Sequence, residues 1–286
     1  MMWGKIALAM SAFAANSIFC RLALADRMID PYSFSMIRIV SGVLALAVLL
    51  RSVEKLKPQR ENWKGGLCLT GYILAFSVAY MQLDAGLGAL LLFGTVQISM
   101  ALYAVYKGEK VTWFRGIGLS VAFLGILLLF LPATHAPSLF YAFMVILAGL
   151  SWAGYSLIGM STAQPMIMTY NNFIWAVPIC LLLSLVRMPN LYIHWNGLAL
   201  AVISGAFTSS LAYVLWYDLL KHLDRMTAST LQLSVPCLAL LAGVIFLNET
   251  LSLRMLFATI MVLSGIGLLI FAGRKITVVQ HIAKND

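Results

Sequence analysis

The stretch LGALLLFGTVQISMALYAVY, Leu87 to Tyr106, runs for twenty residues without a charge. At about 1.5 Å per residue a helix of that length crosses the roughly 30 Å hydrocarbon layer of a bilayer. Similar runs recur at about Gly4 to Leu24, Phe34 to Leu50, Leu67 to Leu83, Trp113 to Leu131, Leu139 to Ile158, Met166 to Val186, Leu198 to Tyr217, Thr227 to Leu247 and Leu256 to Ala272, ten in all. The 286 residues are 62% hydrophobic and 10% charged, with mean hydropathy +0.94, so too few polar side chains exist to clothe a soluble exterior. The chain reads as an all-α membrane protein of ten transmembrane helices joined by short loops, with the lipid bilayer as its solvent.

The net charge of +9 does not point to nucleic acid, because the basic residues sit in gaps between apolar runs rather than on one solvated face. With the N-terminus inside, 14 of the 19 basic residues fall in inner segments, and only Arg21, Arg27, Arg38, Arg187 and Arg254 lie on or near the outer side. Basic residues are retained in the cytoplasm, so both termini are expected there, in a multi-pass cell-membrane protein of the bacterial inner-membrane kind. Lys5 and Ala12-Phe13-Ala14 imitate a signal peptide, but the apolar run continues to Leu24 and reads as a retained helix. Cys20, Cys68, Cys180 and Cys237 all lie in apolar runs without CxxC spacing or clustered histidines, so no disulfide, metal site or cofactor is expected.

Sliding the chain by 140 residues pairs Ser11 with Ser151, Asp84 with Asp224, Glu109 with Glu249, and Gly125-Ile126 with Gly265-Ile266. Only ten acids exist, so two acidic matches in one register carry weight. Residues 1–140 and 141–286 then form two five-helix repeats. Five is odd, so the second repeat must enter from the opposite side of the membrane. Inverted repeats are the architecture of carriers that expose a central site alternately to either side.

Gly108-Glu109 with Gly116, Gly118 and Gly125, and its counterpart Asn248-Glu249 with Gly265, resemble the EamA-type repeat of the drug/metabolite transporter superfamily. Trp152-Ala153-Gly154-Tyr155, Tyr213-Val-Leu-Trp-Tyr217 and Gln232-Leu-Ser-Val-Pro236 are similar to parts of the second repeat. The resemblance implies ten helices and solute transport, with export the preferred direction, and it specifies fold better than substrate. One departure is Val96, which stands where a proline paired with Pro236 is frequent.

Polar and aromatic residues at membrane depth are costly in lipid and mark interior surfaces. The candidate substrate-binding set is Asn16, Arg38, Tyr80, Gln97, Trp152, Tyr155, Trp175, Tyr213, Trp216 and Gln232. Packing is the alternative for the aromatics and interhelical bonding for the amides. Glu109 and Glu249 read as helix-end structure. All ten acids lie in loops, at span ends or in the tail, which disfavours an organic-cation or drug exporter. Arg38, inside span two, either snorkels or pairs with Asp26, Asp30 or Asp84, or else receives a substrate carboxylate. A transporter of amino acids or related zwitterions is therefore the leading reading, acting as a monomer with a dimer as the alternative. A membrane-embedded enzyme on lipid-linked substrates is the rival, but the four histidines form no catalytic set.

Overall fold

The structure is a computed structural model describing residues 2–51, 60–106, 108, 113–130, 138–160, 162–185, 191–220, 222, 231–232 and 234–282. Glu109 and Asp224, and with them half of each acidic pairing, lie outside the described residues. The helices are α1 Met2–Ala25, α2 Pro31–Leu50, α3 Trp63–Ala79, α4 Ala85–Tyr106, α5 Trp113–Phe130, α6 Leu139–Gly159 and α7 Pro165–Leu185. They continue with α8, built from Trp195–Ile203, a π-helical turn Ser204–Leu211 and Ala212–Leu220, then α9 Ser234–Leu247 and α10 Leu253–Ile282. Among the described residues, six helices, namely α1, α2, α4, α6, α7 and α8, are long and apolar enough to cross a bilayer alone. Shorter apolar segments occupy α5, α9 and α10, and α3 has 17 residues.

Helix starts follow local chemistry. Asp30 caps α2, its Oδ1 accepting from the backbone N–H groups of Tyr32 and Ser33 at 3.0 and 2.9 Å, and Pro31 supplies a first-turn residue with no N–H to satisfy. Pro165 opens α7 in the same way.

The packing has a pseudo-twofold pattern. Helix α5 lies on α10, α4 on α9 and α2 on α7, while α6 packs on α3 and α4 as α1 packs on α8 and α9. The α5–α10 crossing shows the exchange residue by residue: a β-carbon at Gly125 would press on Val262, and one at Gly265 would collide with Ala122. Each contact becomes the other on adding or subtracting 140. Small residues at such crossings let helix backbones approach where lipid gives no hydrophobic drive to associate.

We call the face where α1 begins proximal and the face where it ends distal. Lys5 and Asp218, 3.2 Å apart, mark the proximal face. On the distal face Ile29 and Ile193 form a two-residue bridge between the α1–α2 and α7–α8 loops.

Candidate functional site

Arg38 is wholly buried, two turns into α2. Its Nε donates to Ser209 Oγ at 2.7 Å, and its Nη2 to the hydroxyls of Tyr213 at 2.9 Å and Tyr72 at 3.4 Å. The guanidinium also lies over the Tyr72 and Phe76 rings, 5.4 and 5.5 Å from their centroids. Nη1 has no hydrogen-bond partner among the described residues. Snorkelling and pairing with a distal acid are both overturned: the side chain reaches inward to α3 and α8, Asp30 is held by its own helix and by the Tyr192 N–H at 3.0 Å, and Asp84 pairs with Arg21 at 3.3 Å. Every partner found for Arg38 is a neutral hydroxyl or an aromatic face, so its positive charge is uncompensated in a low-dielectric interior.

The π-helical turn of α8 brings its hydroxyls to this level. Ser204 and Thr208 donate to Asn16 Oδ1 at 2.7 and 3.2 Å, and Ser209, one residue on, serves Arg38. The wider turn presents on one side residues that a regular helix would spread apart.

Beyond the Tyr72, Phe76 and Tyr213 side chains that Arg38 touches lies a small cavity, lined by residues from five helices that include Phe13, Asn16, Tyr72, Trp152, Thr208 and Tyr213. Its volume is about 10 Å³, roughly one water. Aromatic rings continue from it toward the proximal face. Tyr72 and Trp152 centroids are 4.8 Å apart, Trp152 stacks on Tyr155 at 5.4 Å, and Tyr155 stacks on Tyr217 at 5.5 Å.

The distal end is closed by a polar knot. Arg21 donates to the Tyr80 and Met81 carbonyls at 3.4 Å each and lies 3.6 Å from Glu249, whose side chain is 9% exposed. Glu249 Oε1 accepts the Ala85 N–H at 2.7 Å, capping α4 from the other repeat. That is the helix-end role expected of it. Burial holds the Glu249 carboxyl above the ordinary carboxylate range, opposed by that N–H bond.

Of the ten predicted residues, Asn16, Trp152 and Tyr213 line the cavity and Arg38 bonds to its wall. Tyr155 stands one ring further along. Tyr80 is set apart, its hydroxyl joining Ser17 and the Ala85 carbonyl, which makes it a strut between α3 and α4. Trp216 packs edge-on to Phe13 at 6.1 Å behind the cavity wall. Gln97 and Gln232 are buried and Trp175 half-buried, none of them on the cavity lining. The sequence reading missed Phe13, Tyr72, Thr208 and Ser209. Tyr72 and Phe76, at i and i+4, and the hydroxyl run Thr208-Ser209-Ser210 were the available signals.

A model of the EamA-like transporter family matches the chain twice, at residues 2–131 and 139–271. An uncharacterized protein of Pseudomonas aeruginosa is 43% identical, with 92% of each chain covered. The threonine/homoserine exporter RhtA of Salmonella typhimurium is 28% identical over 65% of this chain and 63% of its own. A crystal structure superposes with TM-score 0.65 at 16% identity, covering 94% of this chain and 98% of that one, a likeness of fold. With two repeats matched along nearly its whole length, the chain belongs to the EamA-like transporter family, within the drug/metabolite transporter superfamily.

Proposed function

We propose that this protein is a secondary transporter that exports small amino acids or related zwitterions by alternating access, with the substrate carboxylate received by Arg38. The observation that carries the reading is a buried guanidinium with no acid among its described partners and one nitrogen unpartnered. A carboxylate there supplies the missing charge in a charge-assisted, fork-like pair. An organic cation has no corresponding attraction, since an arginine stands where such a pump needs a carboxylate. The resemblance to a threonine/homoserine exporter supports the amino-acid class. The count of basic residues supports a cytoplasmic proximal face, which would put the Arg21–Asp84–Glu249 knot outside.

The test is counterflow in proteoliposomes loaded with unlabelled threonine, homoserine, alanine or phenylalanine, following the uptake of the matching labelled solute. Saturable counterflow with at least one of them is expected. Absence of counterflow with all four, together with thermal stabilisation by a permanent cation such as tetraphenylphosphonium, overturns the assignment.

A further inference from the structure

The surroundings of Arg38 are not the only place where buried polar atoms lack partners. A second group lies toward the proximal face, where Tyr155 of α6 and Thr169 and Asn172 of α7 are all fully buried. The Tyr155 hydroxyl, Thr169 Oγ1, and both the Oδ1 and Nδ2 of Asn172 find no hydrogen-bond partner among the described residues. The Thr169, Asn172 and Tyr217 side chains nevertheless lie within hydrogen-bonding reach of the Tyr155 hydroxyl, so the cluster can bond internally as well as to an occupant. Burying polar groups without hydrogen-bond partners is energetically costly. Four such atoms lie on adjacent turns of two helices, with the Asn172 amide packed against Gly65 of α3.

The fold places this group opposite Arg38 by symmetry. A β-carbon at Gly205 of α8 would collide with the Arg38 carbonyl and with Ser41, and one at Gly66 of α3 would press on the Asn172 carbonyl and Trp175. Arg38 and Asn172, Ser41 and Trp175, and the helix-opening Pro31 and Pro165 are each 134 residues apart. Asn172 is thus the pseudo-twofold mate of Arg38. The two sit on α2 and α7, which pack against each other, and the Trp152, Tyr155 and Tyr213 rings bridge between their surroundings, Tyr213 bonding Arg38 and lying 6.1 Å from Tyr155.

We propose that Asn172, with the Tyr155 and Thr169 hydroxyls, is the second half of the substrate site and binds the ammonium group of a zwitterion whose carboxylate is held by Arg38. The mates differ in chemistry as the ends of an amino acid differ: a cation for the carboxylate, and a neutral amide oxygen, hydroxyl oxygens and aromatic faces for the ammonium. No acid is needed there, and an acid would offer Arg38 an internal partner that competes with substrate.

The inference rests on the proposed amino-acid transport, and threonine analogues separate the two. Thermal stabilisation of the purified, full-length protein is titrated with L-threonine, with 3-hydroxybutyrate, which lacks the amino group, and with threoninol, which lacks the carboxylate. Wild type is expected to bind threonine more tightly than either analogue. Asn172→Ala should weaken threonine roughly fivefold to tenfold and leave 3-hydroxybutyrate unchanged, whereas Arg38→Gln should weaken both carboxylates. Tyr155→Phe and Thr169→Val guard against a folding defect: each deletes an unpartnered oxygen, so the ligand-free melting temperature should hold or rise while the preference for threonine over 3-hydroxybutyrate falls. Equal weakening of threonine and 3-hydroxybutyrate in the Asn172 and Tyr155 variants, or no weakening of either, overturns the inference and leaves the transport reading standing. A wild-type protein that responds to none of the three compounds, and shows no counterflow with the four amino acids, overturns both.

Discussion

Replacing Arg38 by Met tests whether a buried charge is kept for stability or for binding. An arginine near mid-membrane costs about 2.5–3.5 kcal/mol on insertion scales, and its unpartnered nitrogen adds about 1–3 kcal/mol. Three hydrogen bonds from the charged guanidinium to hydroxyls, one of them long at 3.4 Å, return about 1.5 kcal/mol each, and two ring contacts about 0.5–1 kcal/mol each. The gains and losses nearly cancel, so Arg38→Met should change stability by no more than about 2 kcal/mol, or about 5 °C in melting temperature for a chain of this size. Binding should respond differently. Losing two charge-assisted bonds to a carboxylate removes about 3–4 kcal/mol, a weakening of roughly a hundredfold to a thousandfold. The assay is the melting temperature of purified wild type and variant, alone and titrated with threonine, beside counterflow in liposomes. A drop of more than about 10 °C without ligand would mean that Arg38 is a structural keystone with a partner of far greater strength than the three hydroxyls. Unchanged stabilisation by threonine would sink the carboxylate assignment.

Arg38→Lys keeps the charge but loses the planar fork that reaches Ser209 and Tyr213 together, so threonine transport should fall at least tenfold with normal expression; transport at the wild-type rate would refute the fork. Glu249 gives a pH signature. Its carboxyl is raised by burial in the closed distal face, so the closed form binds a proton more readily than a form with Glu249 in water, and its contribution to stability is complete at low pH and lost as pH rises through the raised value. Melting temperature should therefore fall gently as pH climbs out of the ordinary carboxylate range, and Glu249→Gln should flatten that slope; an unchanged slope removes Glu249 as its source. Gly265→Val drives a side chain into the Ala122 backbone of α5 and should cost about 1–3 kcal/mol, measurable as a lower melting temperature with little effect on ligand preference.

The spans were legible because length and apolarity act one helix at a time. Leu87 to Tyr106 and Trp113 to Leu131 lie within two residues of α4 and α5. Two features were not legible. The serine and threonine cluster of α8 reads as neutral in sequence, since hydroxyls bond within their own helix as readily as across it; the π-helical turn at Ser204–Leu211 sets their direction, and nothing local announces it. The mate of Arg38 was hidden by register. A constant slide of 140 residues places Arg38 against Pro178, whereas α2 and α7 correspond at 134. The loops between matched helices differ in length, so an ungapped repeat is right for α5 and α10 and wrong for α2 and α7. The distal acids show the same limit: proximity in sequence made Asp30 a partner for Arg38, but a helix N-terminus and the Tyr192 N–H claimed it first.

The cavity volume decides what the packing must do next. About 10 Å³ behind the Tyr72 and Tyr213 rings admits a water and not an amino acid, so the proposed transport would require helices to part. The crossings differ in what parting would cost. Between α5 and α10 the contact is close at both glycines, Gly125 against Met261 and Val262 and Gly265 against the backbone of Gly118 and Ala122, which suits a fixed scaffold. Between α2 and α8 and between α3 and α7, close glycine contact is combined with unpartnered atoms, the Arg38 nitrogen on one side and the Asn172 amide on the other. Opening either of these pairs wets atoms that are unsatisfied when closed, returning about 1–3 kcal/mol per atom against the apolar area exposed. The same polar atoms that make the closed bundle expensive therefore lower the barrier to opening it, and under the proposed function a zwitterion satisfying both sets would stabilise the closed form between openings.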